Sequence, residues 1–171
     1  MVLMTGPPEI DPVLVRAAQR GDRIAVADLM DALAPYVGRV CGPIALHDGP
    51  DAAQEALIAI LKNLRGLRDP GAIYGWARAI AVREAVRVAR KAAQAVPAEL
   101  TDVPAQGDPE LAADVRDVLA RLSPGHRAVL VLRDLEGLDE QAAGDLLNVP
   151  AGTVRSRLFR ARRSFRKAWA P

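Results

Sequence analysis

The sequence predicts an all-α protein made of two small helical domains joined by a flexible linker. Half of the residues are apolar and only 6 of 171 are aromatic, while the helix formers Ala, Leu and Arg dominate and β-branched runs are scarce. One Pro/Gly-containing stretch separates two blocks with helical apolar spacing. No apolar run approaches the ~20 residues of a membrane span, and the first residues do not resemble a secretory signal. We therefore expect a cytoplasmic protein without membrane insertion.

The first block, residues 11–93, follows an N-terminal tail of residues 1–10 and is predicted to form a four-helix unit. Its helices are predicted over residues 12–21, 22–40, 51–64 and 72–93. Residues 41–50 contain two Gly and two Pro and are expected to form a loop. The apolar stripe of the third helix is expected to consist of Leu57, Ile58, Leu61 and Leu64.

Local signals set these helix boundaries. Asp11 is a good N-cap and Pro12 suits a first helical turn. Asp51 is expected to cap the third helix, and Pro35 to kink or break the second one. The residues of the fourth helix that are available for burial are Trp76, Ile80 and Val88.

Residues 94–109 show no sustained periodicity and contain three Pro and one Gly, so they are predicted to form the linker. The second domain, residues 110–171, is predicted to contain four more helices. They are expected over residues 110–121, from Ser123-Pro124 to just before Gly137, over residues 139–147 and over residues 150–169.

The net charge of +2 hides two basic stretches. Residues 149–171 carry seven basic side chains and no acid, and residues 62–91 carry eight basic side chains against Asp69 and Glu84. Two separate cationic surfaces favour a polyanionic partner. The plainer interpretation is that both stretches are solvated helix faces. It is less favoured here because there are two such stretches and each also carries other sequence features.

Residues 137–160 have the pattern of a helix-turn-helix. Gly144 would allow two helices to approach closely, and Asn148 tolerates the positive φ that a tight turn needs. Val154 and Leu158 would pack the second helix on the first, leaving an arginine-rich face outside. Such a helix places its N-terminal residues at base edges in the major groove, where Arg can bond guanine. An ordinary basic hairpin is the alternative.

Residues 122–162 resemble region 4 of the extracytoplasmic-function (ECF) group of bacterial RNA polymerase sigma factors. The matching segments are Leu122-Ser123-Pro124, Val129-Leu130-Val131-Leu132-Arg133, Glu136-Gly137-Leu138 and the whole run from Val149 to Arg162. Two further segments resemble region 2 of the same family, namely Asp51-Ala52-Ala53-Gln54-Glu55 and Tyr74-Gly75-Trp76-Ala77-Arg78-Ala79-Ile80-Ala81. The resemblance implies a region 2 helical bundle and a region 4 helix-turn-helix domain.

The resemblance also implies three functional surfaces. The residues expected to bind the polymerase core are Asp51, Gln54, Glu55 and Ile58. The residues expected to hold the melted −10 element are Lys62, Asn63, Arg65, Arg68, Tyr74, Trp76, Arg78, Arg83 and Arg87. The residues expected to contact the −35 duplex are Thr153, Arg155, Ser156, Arg157, Phe159, Arg160, Arg162 and Arg163.

The residues themselves leave alternatives for parts of these surfaces. Spacings of three and four place Asp51, Gln54 and Glu55 on one helix edge, but acids also suit a helix N-terminus for local reasons. A cationic track with aromatic platforms can hold a single strand, and Tyr74 fits that role better than Trp76, which is better suited to the core.

The predicted function is promoter-specific transcription initiation, with the RNA polymerase core (largest-subunit clamp and flap), promoter DNA and an anti-sigma factor as partners. A stand-alone helix-turn-helix regulator and a sigma-like module that titrates anti-sigma factors are the alternatives. No enzyme activity, cofactor, metal or small-molecule substrate is expected, since two His and one Cys form no recognisable catalytic or metal arrangement. Cys41 is interpreted as a small buried residue.

Overall fold

The computed structural model of the chain describes residues 6–95 and 109–169, and all regular structure within these ranges is helical. The α-helices are α1 Pro12–Gln19, α2 Arg23–Ala45, α3 Gly49–Asn63, α4 Ile73–Gln94, α5 Pro109–Ala120, α6 Pro124–Leu130, α7 Glu140–Leu147 and α8 Ala151–Trp169. Three short 3-10 turns lie at Leu46–Asp48, Leu64–Gly66 and Pro70–Ala72, and a π-helical turn, Val131–Leu135, follows α6. The all-α fold class is confirmed. Most of the predicted linker, residues 96–108, lies outside the described residues.

Side-chain caps fix the start of several helices. The Asp11 carboxylate accepts from the Val13 amide at 2.8 Å, and Ser123 Oγ accepts from the His126 amide at 3.3 Å. At α7, Asp139 accepts from the Ala142 amide at 2.7 Å. Each cap satisfies an amide that has no partner inside its own helix.

The predicted loop over residues 41–50 is wrong, because α2 continues through Pro35 and Pro43 to Ala45. A sharp corner replaces the loop: Leu46 has a φ of 55°, and a Cβ added to Gly49 would lie 3.1 Å from the Gly42 Cα. Two glycines thus let α2 and α3 meet closely. Such a long-range contact leaves no periodic signal in the sequence.

The start and the buried face of α3 also differ from expectation. The helix begins at Gly49, so Asp51 lies inside its first turn and is not the cap. The side chains that α3 buries are Ala52, Ala56 and Ile60. Of the expected stripe, Leu64 is buried and Leu57 is half-buried, whereas Ile58 and Leu61 are 41% and 45% exposed. Small alanines form the contact because α2 and α4 pack close to this helix.

Helix α4 packs on α2 and α3 through alanine and valine. The buried residues of this helix are Ile73, Ala77, Ala81, Val82, Ala85, Val86 and Ala89. The residues expected to be buried, Trp76, Ile80 and Val88, are half-buried and pack against the edge of the core. Cys41 is fully buried as expected, with its Sγ 3.6 Å from the Ala81 carbonyl oxygen.

Helices α1–α4, here called the first unit, and α5–α8, the second unit, share one continuous apolar core. Ala128, Val129, Val131 and Leu132 are all at most 2% exposed and belong to the same buried cluster as the residues of α2 and α4. The second unit is therefore docked on the first through the α6 segment and its π-helical turn.

Arg127 secures this docking from inside. It is 7% exposed, and its Nε donates to the Ile44 carbonyl of α2 at 2.7 Å. Its Nη1 donates to the carbonyls of Leu119, at 3.3 Å, and Leu122, at 2.5 Å, near the end of α5. Carbonyls at helix C-termini lack intrahelical partners and carry partial negative charge. One guanidinium thus donates to backbone carbonyls of both units.

Candidate nucleic-acid interface

The turn between α7 and α8 has helix-turn-helix geometry. Asn148 adopts the left-handed conformation, with φ 55° and ψ 47°, as the sequence predicted. A Cβ on Gly144 would lie 2.6 Å from the Val149 carbonyl oxygen, so only glycine fits there. Ala143 and Val154 are fully buried, and Leu158 is 6% exposed. These contacts fix the angle at which α8 leaves the turn.

The outer face of α8 is cationic and open to solvent. Its exposed side chains are Arg155, Ser156, Phe159, Arg160, Arg162 and Arg163, whereas Thr153 and Arg157 are half-buried. Phe159 is 62% exposed, which is high for an aromatic side chain. The Ser156 hydroxyl donates to the Thr153 carbonyl at 3.0 Å. This surface meets the requirements for contact with a DNA groove.

Two arginines of this face are oriented by acids of the same unit. Arg155 donates through Nε and Nη2 to Glu140, with its shortest contact at 2.6 Å. Arg162 pairs in the same manner with Asp134, with its Nε 3.2 Å from that carboxylate. The hydrogen bond from Arg155 lowers the pKa of Glu140, so the acid stays ionised. Bidentate pairs of this kind restrict the guanidinium plane.

A second cationic surface follows α4. Arg83, Arg87, Arg90 and Lys91 line a cleft that Leu147 of the second unit closes on one side. Arg83 donates through Nε to the Leu146 carbonyl at 3.4 Å, while Arg87 pairs with Glu84 at 2.7 Å and lies 3.8 Å from Glu55. α7 thus contacts one edge of this surface, and the cationic side chains stay exposed.

At the other end of α4, Arg78 and Tyr36 of the first unit bond to Glu136 of the second unit. Glu136 Oε2 accepts from the Tyr36 hydroxyl at 2.7 Å and from Arg78 Nη1 at 3.3 Å. The Tyr36 and Tyr74 rings meet edge to face, with 5.0 Å between their centroids. Burial, followed by the bond to Glu136, raises the pKa of Tyr36 above its usual range, so its hydroxyl remains a donor. Arg78 Nε is buried without a hydrogen-bond partner.

The loop after α3 presents the remaining −10 candidates. Lys62, Asn63, Arg65 and Arg68 are all exposed. Gln19 of α1 supports the loop from beneath, since its side-chain amide donates to the carbonyls of Leu64, at 3.0 Å, and Leu67, at 2.7 Å. The loop cations and Arg78 are therefore held by the same first unit, together with Tyr74, whose hydroxyl donates to the Pro8 carbonyl at 2.5 Å.

The exposed face of α3 combines acids with apolar side chains. Asp51, Gln54, Glu55 and Ile58 all lie on the solvent side, as the spacing predicted, and Leu61 extends the same row by one turn. An acidic edge beside two exposed aliphatic side chains is typical of a protein-binding surface. Leu61 was missed because its helical spacing is equally compatible with burial.

Other residues of these surfaces also escaped the sequence analysis. Tyr36 and Glu136 are 100 positions apart, and nothing in their local patterns links them. Glu140 could have been found, since an acid at the start of α7 and Arg155 early in α8 face one another in a helix-turn-helix. Within the described ranges, no group of three or more His, Cys, Asp or Glu side chains could hold a metal ion, and no helix is long and apolar enough to cross a membrane.

Comparison with known proteins agrees with this geometry. The family model described as sigma-70, region 4, matches residues 112–165. The RNA polymerase sigma-H factor of Pseudomonas aeruginosa is 34% identical over 187 aligned positions, covering 95% of each chain. The ECF RNA polymerase sigma-E factor of Escherichia coli K12 is 31% identical, covering 89% of this chain and 90% of its own. A match to the ECF sigma factor SigE of Mycolicibacterium smegmatis is 33% identical, and the chain spans only 51% of that longer protein.

Two solved structures share the fold. CnrH, solved in complex with the cytosolic domain of CnrY, has a TM-score of 0.63 at 20% identity, covering 92% of this chain and 95% of its own. The Bartonella quintana sigma factor RpoE, solved with the anti-sigma factor NepR, also has a TM-score of 0.63, at 18% identity, covering 83% and 96%.

The fold and the helix-turn-helix surface, together with these relatives, define an RNA polymerase sigma factor. The chain belongs to the ECF group of the sigma-70 family. Its relatives are RNA polymerase sigma factors, which supports the leading sequence-based prediction over the stand-alone regulator.

Proposed function

We propose that this sigma factor recognises its promoters through two separate surfaces, each belonging to one unit. Residues 110–171 form region 4, whose helix α8 reads the −35 element as duplex DNA. Residues 11–93 form region 2, which binds the polymerase core and holds the melted −10 strand, and residues 94–109 join the two. The observation that carries the proposal is the exposed arginine face of α8, set by the Asn148 turn.

In the −35 surface, base reading and phosphate binding fall to different residues. Arg155 and Ser156 lie in the N-terminal part of α8, where a recognition helix meets base edges. Thr153, Arg157, Phe159 and Arg160 flank them on neighbouring turns. Arg162 and Arg163 lie further along α8 and are placed to contact phosphate, which supplies affinity that depends on salt.

In the −10 surface, the loop and α4 together form a cationic track. Lys62, Asn63, Arg65 and Arg68 would follow the strand backbone. Tyr74 offers an aromatic platform, and Trp76 supports the surface from its half-buried position. The cations that α4 contributes are Arg78, Arg83 and Arg87.

For the polymerase core, the contact surface is the exposed row of α3. Asp51, Gln54, Glu55 and Ile58 would dock on the largest-subunit clamp, and the second unit would contact the flap. The protein would have no catalysis of its own, because the core makes the RNA, and it would act in the cytoplasm without a cofactor.

An anti-sigma protein is the proposed regulatory partner. A groove of the second unit, bordered by Pro43 of α2, supports it, and its apolar lining includes Val115, Leu119, Leu130 and Leu135. An amphipathic helix fits such a groove. Both structural neighbours were solved as complexes, one of them with a protein described as an anti-sigma factor.

Run-off transcription from fragmented genomic DNA tests the proposal. Purified core polymerase with this protein should produce new RNA 5′ ends that share two upstream elements. An Asp51/Gln54/Glu55 triple alanine variant should lose these starts. Asp28→Ala/Asp31→Ala is the matched control, since it removes the same negative charge from the exposed side of α2. New starts that persist in the triple variant would refute the assigned core-binding surface.

A further inference from the structure

We propose that His126 is a proton-linked contact to the DNA backbone. It forms a phosphate-binding cluster with Arg157 and Arg160, and its imidazole takes up a proton from solvent when the −35 duplex binds. The inference deepens the proposed role of α8 in reading that duplex and rests on it.

The cluster joins α6 and α8, which pack directly against each other. A Cβ added to Gly125, the residue before His126, would lie 3.4 Å from Arg157 Nη1, so this guanidinium lies against the first turn of α6. Arg160 follows Arg157 at a spacing of three, which places both on one side of α8. His126 and Arg157 are half-buried and Arg160 is exposed, so the cluster is open to solvent on one side.

This cluster has no acidic partner in the part of the chain that the structure describes. Arg155 and Arg162 each pair with an acid of the second unit, whereas Arg157 and Arg160 form no salt bridge with any described residue. These two arginines also supply the charges that act on His126. The helices α2 and α4 pack on α6 as well, but no charged group of their described residues joins this set. Positive charge without a counter-ion favours the binding of an anion.

The imidazole is already oriented by Ser123. Ser123 Oγ accepts from the His126 amide at 3.3 Å and is also hydrogen-bonded to the ring at Nδ1. The ring nitrogen Nε2 has no hydrogen-bond partner among the described residues. Both nitrogens of a protonated imidazole donate. Nδ1 would therefore keep its bond to Ser123, while Nε2 would donate to a phosphate oxygen.

The position of the cluster fits a backbone contact. The outer face of a recognition helix meets base edges in the major groove, so its flanks face the phosphates that border the groove. Arg155 and Ser156 are exposed on the outer face of α8, whereas Arg157 lies on the flank next to α6. A phosphate on this flank would contact groups from both helices.

The free chain disfavours the proton that a bound phosphate would stabilise. Burial, and then the charges of Arg157 and Arg160, lower the pKa of His126. A phosphate placed among the three side chains opposes the second cause, since a nearby negative charge favours the imidazolium. Because binding couplings are reciprocal, the duplex must then bind more tightly as the pH falls.

The first measurement titrates the two histidines of the full chain by NMR. The imidazole resonances of His126 are followed with pH in the free chain and in the complex with a short −35 duplex. We expect the pKa of His126 to lie below 6.5 in the free chain and above 6.5 in the complex. His47, which is exposed in the first unit, is the internal reference. A His126 pKa that does not rise on binding would overturn the proposal.

The second measurement is duplex affinity by fluorescence anisotropy at about pH 8 and about pH 5.5, at constant ionic strength. The wild type should bind about fivefold more tightly at the lower pH, on cognate and scrambled duplexes alike, because a phosphate contact does not read sequence. His126→Gln should lose this gain. His126→Lys keeps a positive charge at both pH values and should bind at the higher pH about as tightly as the wild type binds at the lower one.

His47→Gln is the matched control, since it removes the other imidazole of the chain and should keep the wild-type gain. An equal gain in His126→Gln and His47→Gln would contradict the proposal, as would a gain confined to the cognate duplex.

The role of α8 is tested separately with Arg155→Ala. If that variant binds the cognate duplex as tightly as the wild type, the proposed −35 surface is wrong, and the inference fails with it. If it loses affinity while the wild type and His126→Gln share one pH dependence, only the proton-linked contact is wrong.

Discussion

The two cationic surfaces of this sigma factor differ in what their arginines contact. On α8, Arg155 and Arg162 pair with Glu140 and Asp134, acids of their own unit, and the face remains exposed. On α4, Arg78 and Arg83 bond to groups of the other unit. The arginines of α8 are therefore oriented within one unit, whereas the orientation of Arg78 and Arg83 depends on how the two units pack together.

The largest expected effect concerns the docking itself. Arg127→Met would remove the donor to the Ile44 and Leu122 carbonyls, while the Leu119 carbonyl would keep its bond from the Leu122 amide. We expect the free energy of unfolding to fall by about 3 kcal/mol, because buried acceptors lose their hydrogen bonds. Urea unfolding measures this, with the exposed Arg121→Met as control. Equal stability of the two variants would mean that Arg127 does not secure the docked state.

The next prediction separates sequence-specific base contacts from sequence-independent DNA affinity on α8. Arg155→Ala should weaken binding to cognate −35 duplex by about 10- to 100-fold, since a bidentate base contact contributes ~1–3 kcal/mol of discrimination. Arg163→Ala should weaken cognate and scrambled duplexes alike and reduce the salt dependence. Fluorescence anisotropy measures the loss of affinity of each variant for the cognate and the scrambled duplex. An equal loss on the two duplexes for Arg155→Ala would contradict the division.

A smaller effect tests the preorganisation of Arg155. Glu140→Gln removes the acid that holds its guanidinium, and we expect the preference for cognate over scrambled duplex to fall about two- to fivefold, the range of an exposed ion pair. Asp145→Asn is the matched control, because it removes an acid from α7 that accepts from Gln141 instead. If both variants keep the wild-type preference, Glu140 does not position Arg155.

The smallest expected effect is on the pH dependence of the free energy of unfolding. Burial, and then the charges of Arg157 and Arg160, lower the pKa of His126 in the folded chain below its ordinary 6.5. The unfolded chain therefore binds the proton first, and the free energy of unfolding falls as the pH drops below about 6.5. His126→Gln should flatten this slope in urea titrations at several pH values. An unchanged slope would show that other groups dominate.

Local features of the sequence were sufficient for much of the fold. Asp11, Ser123 and Asp139 cap helices, and Asn148 takes a left-handed turn, because each of these depends on residues within four positions. The exposed acidic edge of α3 was also predictable from spacing. The same spacing misplaced the buried face of that helix, since Ala56 packs inside while Leu61 does not.

Contacts between distant residues could not be predicted in this way. The α2–α3 corner depends on Gly42 meeting Gly49 across the bend. The docking of the units depends on Arg127 finding Ile44, 83 positions away, and on Glu136 finding Tyr36. A single sequence records the chemistry of these residues but not their pairing. The bonds of Arg78 to Glu136 and of Arg83 to the Leu146 carbonyl were therefore not predicted.

The close approach at Gly144 has a consequence for how such a factor can diversify. The orientation of α8 depends on Gly144, on the left-handed turn at Asn148 and on buried Val154, none of which belongs to the outer face of α8. Arg155, Ser156, Phe159 and Arg160 are exposed and share the outer side of this helix. Substitutions on that outer side can change the promoter sequence that the protein prefers without changing its fold. The fold and the promoter preference can therefore evolve independently.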